Sequence, residues 1–224
     1  MRVPLAKEGC WLVIAGTAIL LGGAAAAIAL WSRLGVVAAV PLAMLWAWLI
    51  WFFRDPDRAI PEGQGLFVCP ADGMVTDVTP IGPDSILGTS GRRIGVFMNV
   101  LNVHVNRAPC DGVVVDKIIT RGGRQDVRRE AAWHRNESVT LLLEYAPAGS
   151  PPVKVAVRQV AGMIARRIVC HPRQGDTLVR GGRIGMIRFG SRLELMLPDA
   201  LNAEIVVSPG QRVWAGSTIL ARHS

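Results

Sequence analysis

The sequence predicts a mainly β protein, barrel-like or sandwich-like, with a two-helix transmembrane hairpin at its N-terminus. Three observations support this fold class. The chain begins with two long uncharged apolar segments, continues with short runs rich in Val, Ile and Leu, and places Gly, Pro, Asp or Asn between those runs. Short apolar runs separated by such turns are typical of all-β barrels and sandwiches.

The apolar segments at the N-terminus predict a membrane anchor. Residues 9 to 32 and residues 34 to 53 contain no charged side chain. A helix needs about 20 apolar residues to cross the core of a bilayer, so we expect spans over about 10–31 and 34–53. Only a short connection around Arg33 separates them. A cleaved signal peptide is the competing interpretation of the first segment, but its apolar run is long and a second one follows directly.

The basic residues that flank these segments predict their orientation. Arg2 and Lys7 precede the first segment, Arg54 and Arg58 follow the second, and Arg33 lies between them. Because cytoplasmic flanks are enriched in Lys and Arg, both ends of the hairpin are expected on the cytoplasmic side.

The predicted organisation is a membrane anchor over residues 1–53 and a cytoplasmic β-rich domain over residues 54–224, located at the cell (inner) membrane. The formal net charge of the chain is +8, and a basic domain in that place is attracted to anionic lipid head groups. Nucleic acid is not an expected partner, because aromatic and basic residues are not interleaved and no helix-turn-helix pattern is present.

The remaining local structure is predicted from periodicity and turn residues. We predict strands over 66–79, 93–100, 112–120, 138–145, 153–161, 164–170, 184–197 and 203–208. A short helix is expected over 124–133. The segments 70–75 and 208–221 resemble the hairpins of lipoyl-type and biotinyl-type β folds. Three glycines in these segments are expected to have positive φ angles: Gly73, Gly210 and Gly216.

Three dispersed residues are candidates for chemistry. Asp72 stands in a turn, His104 lies in a strand-like run, and Ser191 follows Gly190 between two strand-like runs. Each is ordinary by itself: a turn aspartate, a strand histidine and a serine in a turn. Together, Asp, His and Ser from distant parts of a β domain are the groups that activate a serine hydroxyl. No metal site is expected, since the histidines and cysteines do not have metal-binding spacing.

A family resemblance rests on five segments that occur in order. They are FRDPDR (53–58), PADGMV (70–75), FMNVLNVHVNRAPCDGVV (97–114), RQVAGMIARRIVC (158–170) and GDTLVRGGRIGMIRFGSRLELMLP (175–198). In this combination the sequence resembles the phosphatidylserine decarboxylase proenzymes of the short (type A) family, which are pyruvoyl-dependent.

The resemblance implies that the chain cleaves itself between Gly190 and Ser191. His104, supported by Asp72, would take the proton of Ser191, whose oxygen would attack the Gly190 carbonyl and convert the peptide bond into an ester. Elimination and hydrolysis with loss of ammonia would then leave a pyruvoyl group at position 191. This group is the cofactor that the resemblance implies, and no metal accompanies it.

The resemblance also implies the products and the reaction. A β chain (1–190) and an α chain (191–224) would form a heterodimer, and higher oligomers stay open. The pyruvoyl carbonyl would form a Schiff base with the amine of phosphatidylserine and accept the electrons released with carbon dioxide. His104 would protonate the resulting carbanion, and the product would be phosphatidylethanolamine.

The sequence departs from the longer relatives in its histidines. Those relatives carry two histidines three positions apart, where this chain has His104 and Arg107. Either one histidine serves both cleavage and decarboxylation, or His134 or His171 shares the work.

Three arginines are expected to contact the substrate. Arg107 would meet its carboxylate or phosphate, with a structural ion pair as the alternative. Arg166 and Arg167 would contact the head group or the membrane, with a solvated face as the alternative.

Two other functions stay open. A membrane-anchored, non-catalytic β adaptor or binding domain is suggested by the lipoyl-like hairpins, although segment 208–221 has no lysine to carry such a group. A pyruvoyl decarboxylase with a soluble amino-acid substrate would leave the membrane spans unexplained.

Overall fold

The computed structural model describes residues 5–29, 33–123, 125–163, 168–187 and 190–223. The chain forms two compact units, Met1–Asp57 and Arg58–Ser224.

The N-terminal unit consists of helix α1 (Lys7–Ala29) and helix α2 (Arg33–Phe52). Among the described residues, the stretch Lys7–Ala26 is long and apolar enough to cross a membrane, whereas the apolar stretch Ala39–Phe52 is shorter. Among the described side chains, one apolar helix is therefore of membrane length where the sequence predicted two. The described apolar stretch of the second helix is too short by itself to cross a bilayer core.

Specific contacts join the two helices of this unit. The Trp46 indole N–H donates to the Thr17 hydroxyl over 2.9 Å. Gly9 faces the Phe53 ring so closely that a Cβ at this position would lie 2.1 Å from Phe53 Cγ. Small residues at helix contacts allow such close approach, as in membrane helix pairs.

The C-terminal unit is built from strands. They are β1 (Leu66–Val68), β2 (Gly73–Ile81), β3 (Gly91–Met98), β4 (Val105–Arg107), β5 (Gly112–Thr120), β6 (Ser138–Tyr145), β7 (Val153–Ala161), β8 (Ile168–Cys170), β9 (Thr177–Leu178), β10 (Arg183–Ile187), β11 (Ser191–Pro198), β12 (Glu204–Ile205), β13 (Arg212–Val213) and β14 (Ile219–Arg222). Helix α3 (Glu130–Arg135) lies between β5 and β6, and a 3₁₀ turn (Asp199–Leu201) follows β11. The predicted mainly β fold is confirmed.

The strands of the described residues form three sheets. The largest has eight strands in the order β13-β2-β3-β11-β7-β6-β5-β9, and two three-stranded sheets have the orders β1-β14-β12 and β4-β10-β8. Buried apolar side chains from all three sheets share one core, which includes Phe67 of β1, Ile184 of β10 and Leu193 of β11. Strand β11 lies inside the large sheet, because Ser191 pairs with Met98 of β3 on one side and with Ala161 of β7 on the other.

Several local predictions need correction. The strand predicted over 66–79 is interrupted between β1 and β2, and the strand predicted over 184–197 is two strands in different sheets. The predicted helix over 124–133 begins only at Glu130. The break between β1 and β2 falls on the turn residues Pro70 and Asp72, so the strand predicted there was too long. The break between β10 and β11 was missed because strand-like sequence lies on both sides of Gly190 while the chain moves to another sheet.

The glycine predictions are confirmed at two positions and wrong at the third. Gly210 and Gly216 have φ angles of 89° and 75°. Gly73 does not have a left-handed φ; instead, a Cβ at this position would lie 2.2 Å from the Phe97 carbonyl oxygen. Close packing between strands, rather than a turn, explains this glycine.

Candidate active site at the junction of β10 and β11

The Gly190–Ser191 bond lies where the chain passes from one sheet to another. Strand β10 belongs to a three-stranded sheet and β11, which begins at Ser191, belongs to the eight-stranded sheet. Gly190 has a φ of +58°, and a Cβ on it would meet no heavy atom within 4 Å apart from its chain neighbours. Its glycine is therefore explained by the left-handed backbone, which disfavours a side chain, and not by packing.

Ser191 is fully buried, with 0% of its surface exposed. Its hydroxyl oxygen lies 4.0 Å from the sulfur of Met98, the residue opposite it on β3. A thioether is only a weak acceptor. The hydroxyl is thus shielded from solvent and has a weak acceptor beside it.

Two buried side-chain amides form a chain of hydrogen bonds that begins at the Met98 sulfur. The side-chain N–H of Asn106 donates to the same Met98 sulfur at 3.6 Å. The amide N–H of Gln159 donates in turn to Asn106 Oδ1 over 2.8 Å. Buried polar groups usually have hydrogen-bond partners, so this chain of contacts holds the segments around Ser191 in a defined arrangement.

His104 lies in the connection between β3 and β4 and is also fully buried. Its Nδ1 is 2.9 Å from the carbonyl oxygen of Asn102. A carbonyl only accepts hydrogen bonds, so Nδ1 carries the proton and Nε2 is the basic nitrogen of the neutral ring. His104 follows Met98 by six positions in the chain and Ser191 pairs with Met98, and a direct approach of His104 to the Ser191 hydroxyl stays a prediction.

Asp72 is buried and connects distant segments. Its Oδ2 accepts a hydrogen bond from Arg58 Nη2 over 2.6 Å, and its Oδ1 accepts one from the backbone N–H of Ala215 over 2.7 Å. Both carboxylate oxygens are therefore engaged by groups other than the imidazole. Support of His104 by Asp72 stays a prediction.

The other candidate residues have surroundings different from those of Ser191 and His104. Arg107 is buried and its Nη1 donates to the Gly181 carbonyl over 3.0 Å, a contact with the protein itself. His134 and His171 are exposed, unlike His104. The two remaining arginines lie outside the described residues: Arg166 and Arg167.

On the opposite face of β11, Arg192 is held by a buried polar network. Its Nε donates to Glu194 over 2.8 Å, its Nη1 to the Thr76 hydroxyl over 2.6 Å and its Nη2 to Asp77 over 2.9 Å. The guanidinium carbon also lies 3.6 Å from the centre of the Trp133 ring, a cation–π contact.

Further arginines of this network lie close to its two carboxylates, Asp77 and Glu194. Glu194 is fully buried, and its oxygens lie 3.6 Å from Arg158 Nη1 and 4.0 Å from Arg93 Nε. Burial raises the pKa of Asp77, but hydrogen bonds from Arg192 and Thr76 and the arginine charges outweigh it, so the pKa lies below its ordinary value.

Comparisons with known proteins decide the family. A family model described as phosphatidylserine decarboxylase matches residues 45–221. The chain belongs to the phosphatidylserine decarboxylase family. The match includes both sides of the Gly190–Ser191 bond and the segments that carry Asp72 and His104.

Relatives of this decarboxylase family match most of the chain. A phosphatidylserine decarboxylase proenzyme from Geobacter sulfurreducens is 40% identical over 98% of this chain and 96% of its own length. The proenzyme from Trichlorobacter lovleyi is 44% identical over 96% of this chain and 91% of its own. That from Nitratidesulfovibrio vulgaris is 46% identical over 82% and 83%. These matches confirm the resemblance inferred from the five segments.

Several residues of this candidate site were not singled out from the sequence. Arg58 and Arg192 lie inside the segments FRDPDR and FGSR that carried the resemblance, but their partners are remote in the chain. One signal was available: at the start of SRLELMLP, Leu193 and Leu195 alternate with Arg192 and Glu194. Such alternation indicates a strand with two different faces, and it could have identified Arg192 and Glu194 as a pair on one of them.

Proposed function

We propose that this chain is a phosphatidylserine decarboxylase made as a proenzyme, which matures by cutting its own Gly190–Ser191 bond. The observation that carries the proposal is a fully buried serine that follows a left-handed glycine, at the point where the chain passes between two sheets, in a member of this family.

Maturation is proposed to begin with His104. Its Nε2 takes the proton of Ser191 Oγ, and this oxygen attacks the carbonyl carbon of Gly190. The C–N bond breaks, so Gly190 becomes an ester on Oγ and residue 191 gains a free amine. Loss of the α-proton expels the Gly190 carboxylate and leaves dehydroalanine. Its imine tautomer then adds water and releases ammonia, which leaves the pyruvoyl group.

The surroundings of Ser191 favour this sequence of steps. The absence of solvent around the hydroxyl strengthens its interaction with a nearby base and protects the ester from premature hydrolysis. The backbone at Gly190 is held at a φ of +58°, a sparsely populated conformation for residues with a side chain. Ser191 therefore fits the role of a cofactor precursor, because its hydroxyl is buried and the glycine before it has a constrained backbone.

The pyruvoyl group, once formed, supplies an electron sink for the pair of electrons that the substrate carboxylate leaves behind. The chain's own residues then bind the substrate and move protons. We propose that His104 Nε2 delivers the proton that replaces carbon dioxide, so one buried histidine serves both stages. Arg166 and Arg167 are proposed to contact the phosphate or the membrane surface. A substrate role for Arg107 requires it to bind the head group in addition to Gly181.

The two fragments are proposed to stay together as a heterodimer after cleavage. Strand β11 and all later strands belong to the fragment 191–224. Because β11 is hydrogen-bonded to β3 on one side and to β7 on the other, release of the fragment would open the large sheet. The buried contacts of Arg192 and Ala215 add links between the fragments.

We also propose that α1 and α2 both cross the cell (inner) membrane, with the catalytic unit on the cytoplasmic side. The uncharged run over 34–53 is the support for the second span, and the flanking arginines support the orientation. An anchored enzyme suits a substrate whose acyl chains remain in the bilayer.

The decisive experiment is an intact-mass measurement on the full chain, purified in detergent from growing cells. We expect two fragments, 1–190 and 191–224. The mass of the second should be lower than that of a peptide that begins with serine, because the conversion of serine into a pyruvoyl group releases ammonia. A single uncut chain would contradict the proposal.

Two variants assign the roles. Ser191→Ala should abolish both cleavage and release of carbon dioxide from phosphatidylserine, because it lacks the attacking oxygen. His104→Ala should slow cleavage by about a hundredfold or more, the range for a lost general base. Normal processing in His104→Ala would assign the base to another group.

A further inference from the structure

Gly162 lies directly against the bond that the proposed maturation breaks. It follows Ala161, the last residue of β7, which pairs with Ser191. A Cβ on Gly162 would lie 1.8 Å from the carbonyl oxygen of Gly190 and 2.9 Å from its carbonyl carbon. Glycine avoids this collision because a hydrogen stands where the Cβ would be.

Space, and not backbone conformation, accounts for this glycine. The φ of Gly162 lies outside the left-handed region, so an alanine could adopt the same backbone. The obstacle to a side chain is a backbone oxygen, which cannot turn aside as a flexible side chain does. Contacts of real Cβ atoms are essentially never shorter than 3.0 Å. A methyl group on residue 162 would therefore push the segments that contain Gly162 and Gly190 apart by more than about 1 Å.

We propose that Gly162 is a positioning residue for self-cleavage: without a side chain, it lets the Gly190 carbonyl lie against the end of β7, in the orientation that Ser191 Oγ attacks. This inference rests on the proposed function. The attack turns the planar carbonyl into a tetrahedral centre, so its rate depends on the direction in which the carbonyl points. A displacement of about 1 Å between reacting groups lowers a rate by about a hundredfold.

The chain contains a matched control for the same kind of contact. Gly91 begins β3 and pairs with Pro198, at the other end of β11. A Cβ on Gly91 would lie 2.2 Å from the Leu197 carbonyl oxygen and 3.1 Å from its carbon, and its φ is also outside the left-handed region. Gly91→Ala therefore disturbs the same strand by a similar collision, but far from the bond that is cut.

The experiment compares wild type, Gly162→Ala and Gly91→Ala as full chains, produced at low growth temperature. Pulse-labelled protein is chased, the folded fraction is isolated by its resistance to trypsin, and the cut fraction is followed by intact mass. Thermal midpoints of both substitutions are measured separately in the uncleavable Ser191→Ala background. Decarboxylation is expressed per cut chain.

We expect Gly162→Ala to be cut about tenfold more slowly than wild type or worse, and Gly91→Ala to be cut at a rate within about twofold of wild type. The thermal midpoint should fall by similar amounts in the two. Gly162→Ala chains that are eventually cut should decarboxylate at the wild-type rate, since Gly190 is then a free carboxylate at a chain end.

Three outcomes would overturn the role of Gly162. One is a normal cleavage rate in folded Gly162→Ala. Another is equal slowing in both variants together with equal thermal loss, which would show general destabilisation. The third is a complete absence of folded Gly162→Ala beside folded Gly91→Ala, which would make the glycine a folding requirement. A wild-type chain that stays uncut would instead refute the proposed function itself.

Discussion

The two faces of strand β11 have opposite character. On one face, Ser191 is followed by Leu193, Leu195 and Leu197, all buried in the core shared by the three sheets. On the other face, Arg192 and Glu194 are equally buried but are surrounded by charges. The apolar face shields the Ser191 hydroxyl from solvent. The charged face holds the strand in place through hydrogen bonds to β2.

The difference explains how β11, which we propose is cut at its first residue, would keep its position. Apolar contacts are not directional, so the leucine face alone tolerates small shifts along the strand. The hydrogen bonds of Arg192 to Asp77 and Thr76 of β2 are directional. Because Arg192 is the neighbour of Ser191, these bonds restrain the new chain end after cleavage.

The strongest test of the charged face is Arg192→Met, made in the uncleavable Ser191→Ala background. Removing one member of a buried ion pair leaves Asp77 and Glu194 without their closest cation, so we expect a loss of about 3 to 5 kcal/mol in the free energy of unfolding. Urea unfolding of the full chain in detergent measures it. The exposed pair of Arg128 and Asp126 has the same type of contact at 2.6 Å, and Arg128→Met should leave stability unchanged within error. Equal effects in the two variants would remove the distinction between the faces.

The matching test of the apolar face is Leu195→Ala in the same background. Leu195 has 0% exposure, and truncating a fully buried leucine costs about 2 to 5 kcal/mol through lost burial and a cavity. We expect a loss near the lower end, about 2 to 3 kcal/mol, because the residues around a truncated strand side chain can partly fill the cavity.

With Ser191 restored, Leu195→Ala should still be cut, whereas Arg192→Met should yield a cut enzyme with a lower turnover number. Loss of cleavage in Leu195→Ala would show that the apolar face also aligns the bond.

The smallest expected effect concerns acid stability. The pKa of Asp77 is lower in the folded chain than its ordinary value, so its contribution to stability is present above the ordinary carboxyl pKa, near 4, and is lost as the pH falls through the folded value. Asp77→Asn should therefore be less stable than the parent at neutral pH and lose less stability on acidification below about pH 4. Urea midpoints across this range measure it, with Asp84→Asn in an exposed loop as the control. Parallel pH curves for Asp77→Asn and the parent would contradict the coupling to Arg192.

Much of the fold follows from local sequence pattern. Strands β5, β6 and β7 have the predicted bounds, 112–120, 138–145 and 153–161, because their apolar runs are bounded by strong turn residues. The break between β10 and β11 was not predictable in this way. The chain changes sheets at Gly190 while the apolar pattern continues, and only pairing with different neighbours separates the two strands.

The amino-acid sequence by itself determined the apolar N-terminal segments, the β character of the remainder and the choice of Gly190–Ser191 as the bond proposed to be cut, because each depends on residue types that are adjacent or regularly spaced. Tertiary structure decided what surrounds that bond. Arg192 and Thr76 are 116 positions apart, and Gly162 meets Gly190 only because β7 and β11 are neighbours in the sheet. Such contacts depend on how strands are ordered, which no local pattern specifies, and this order converts an ordinary Gly-Ser pair into a buried, oriented site.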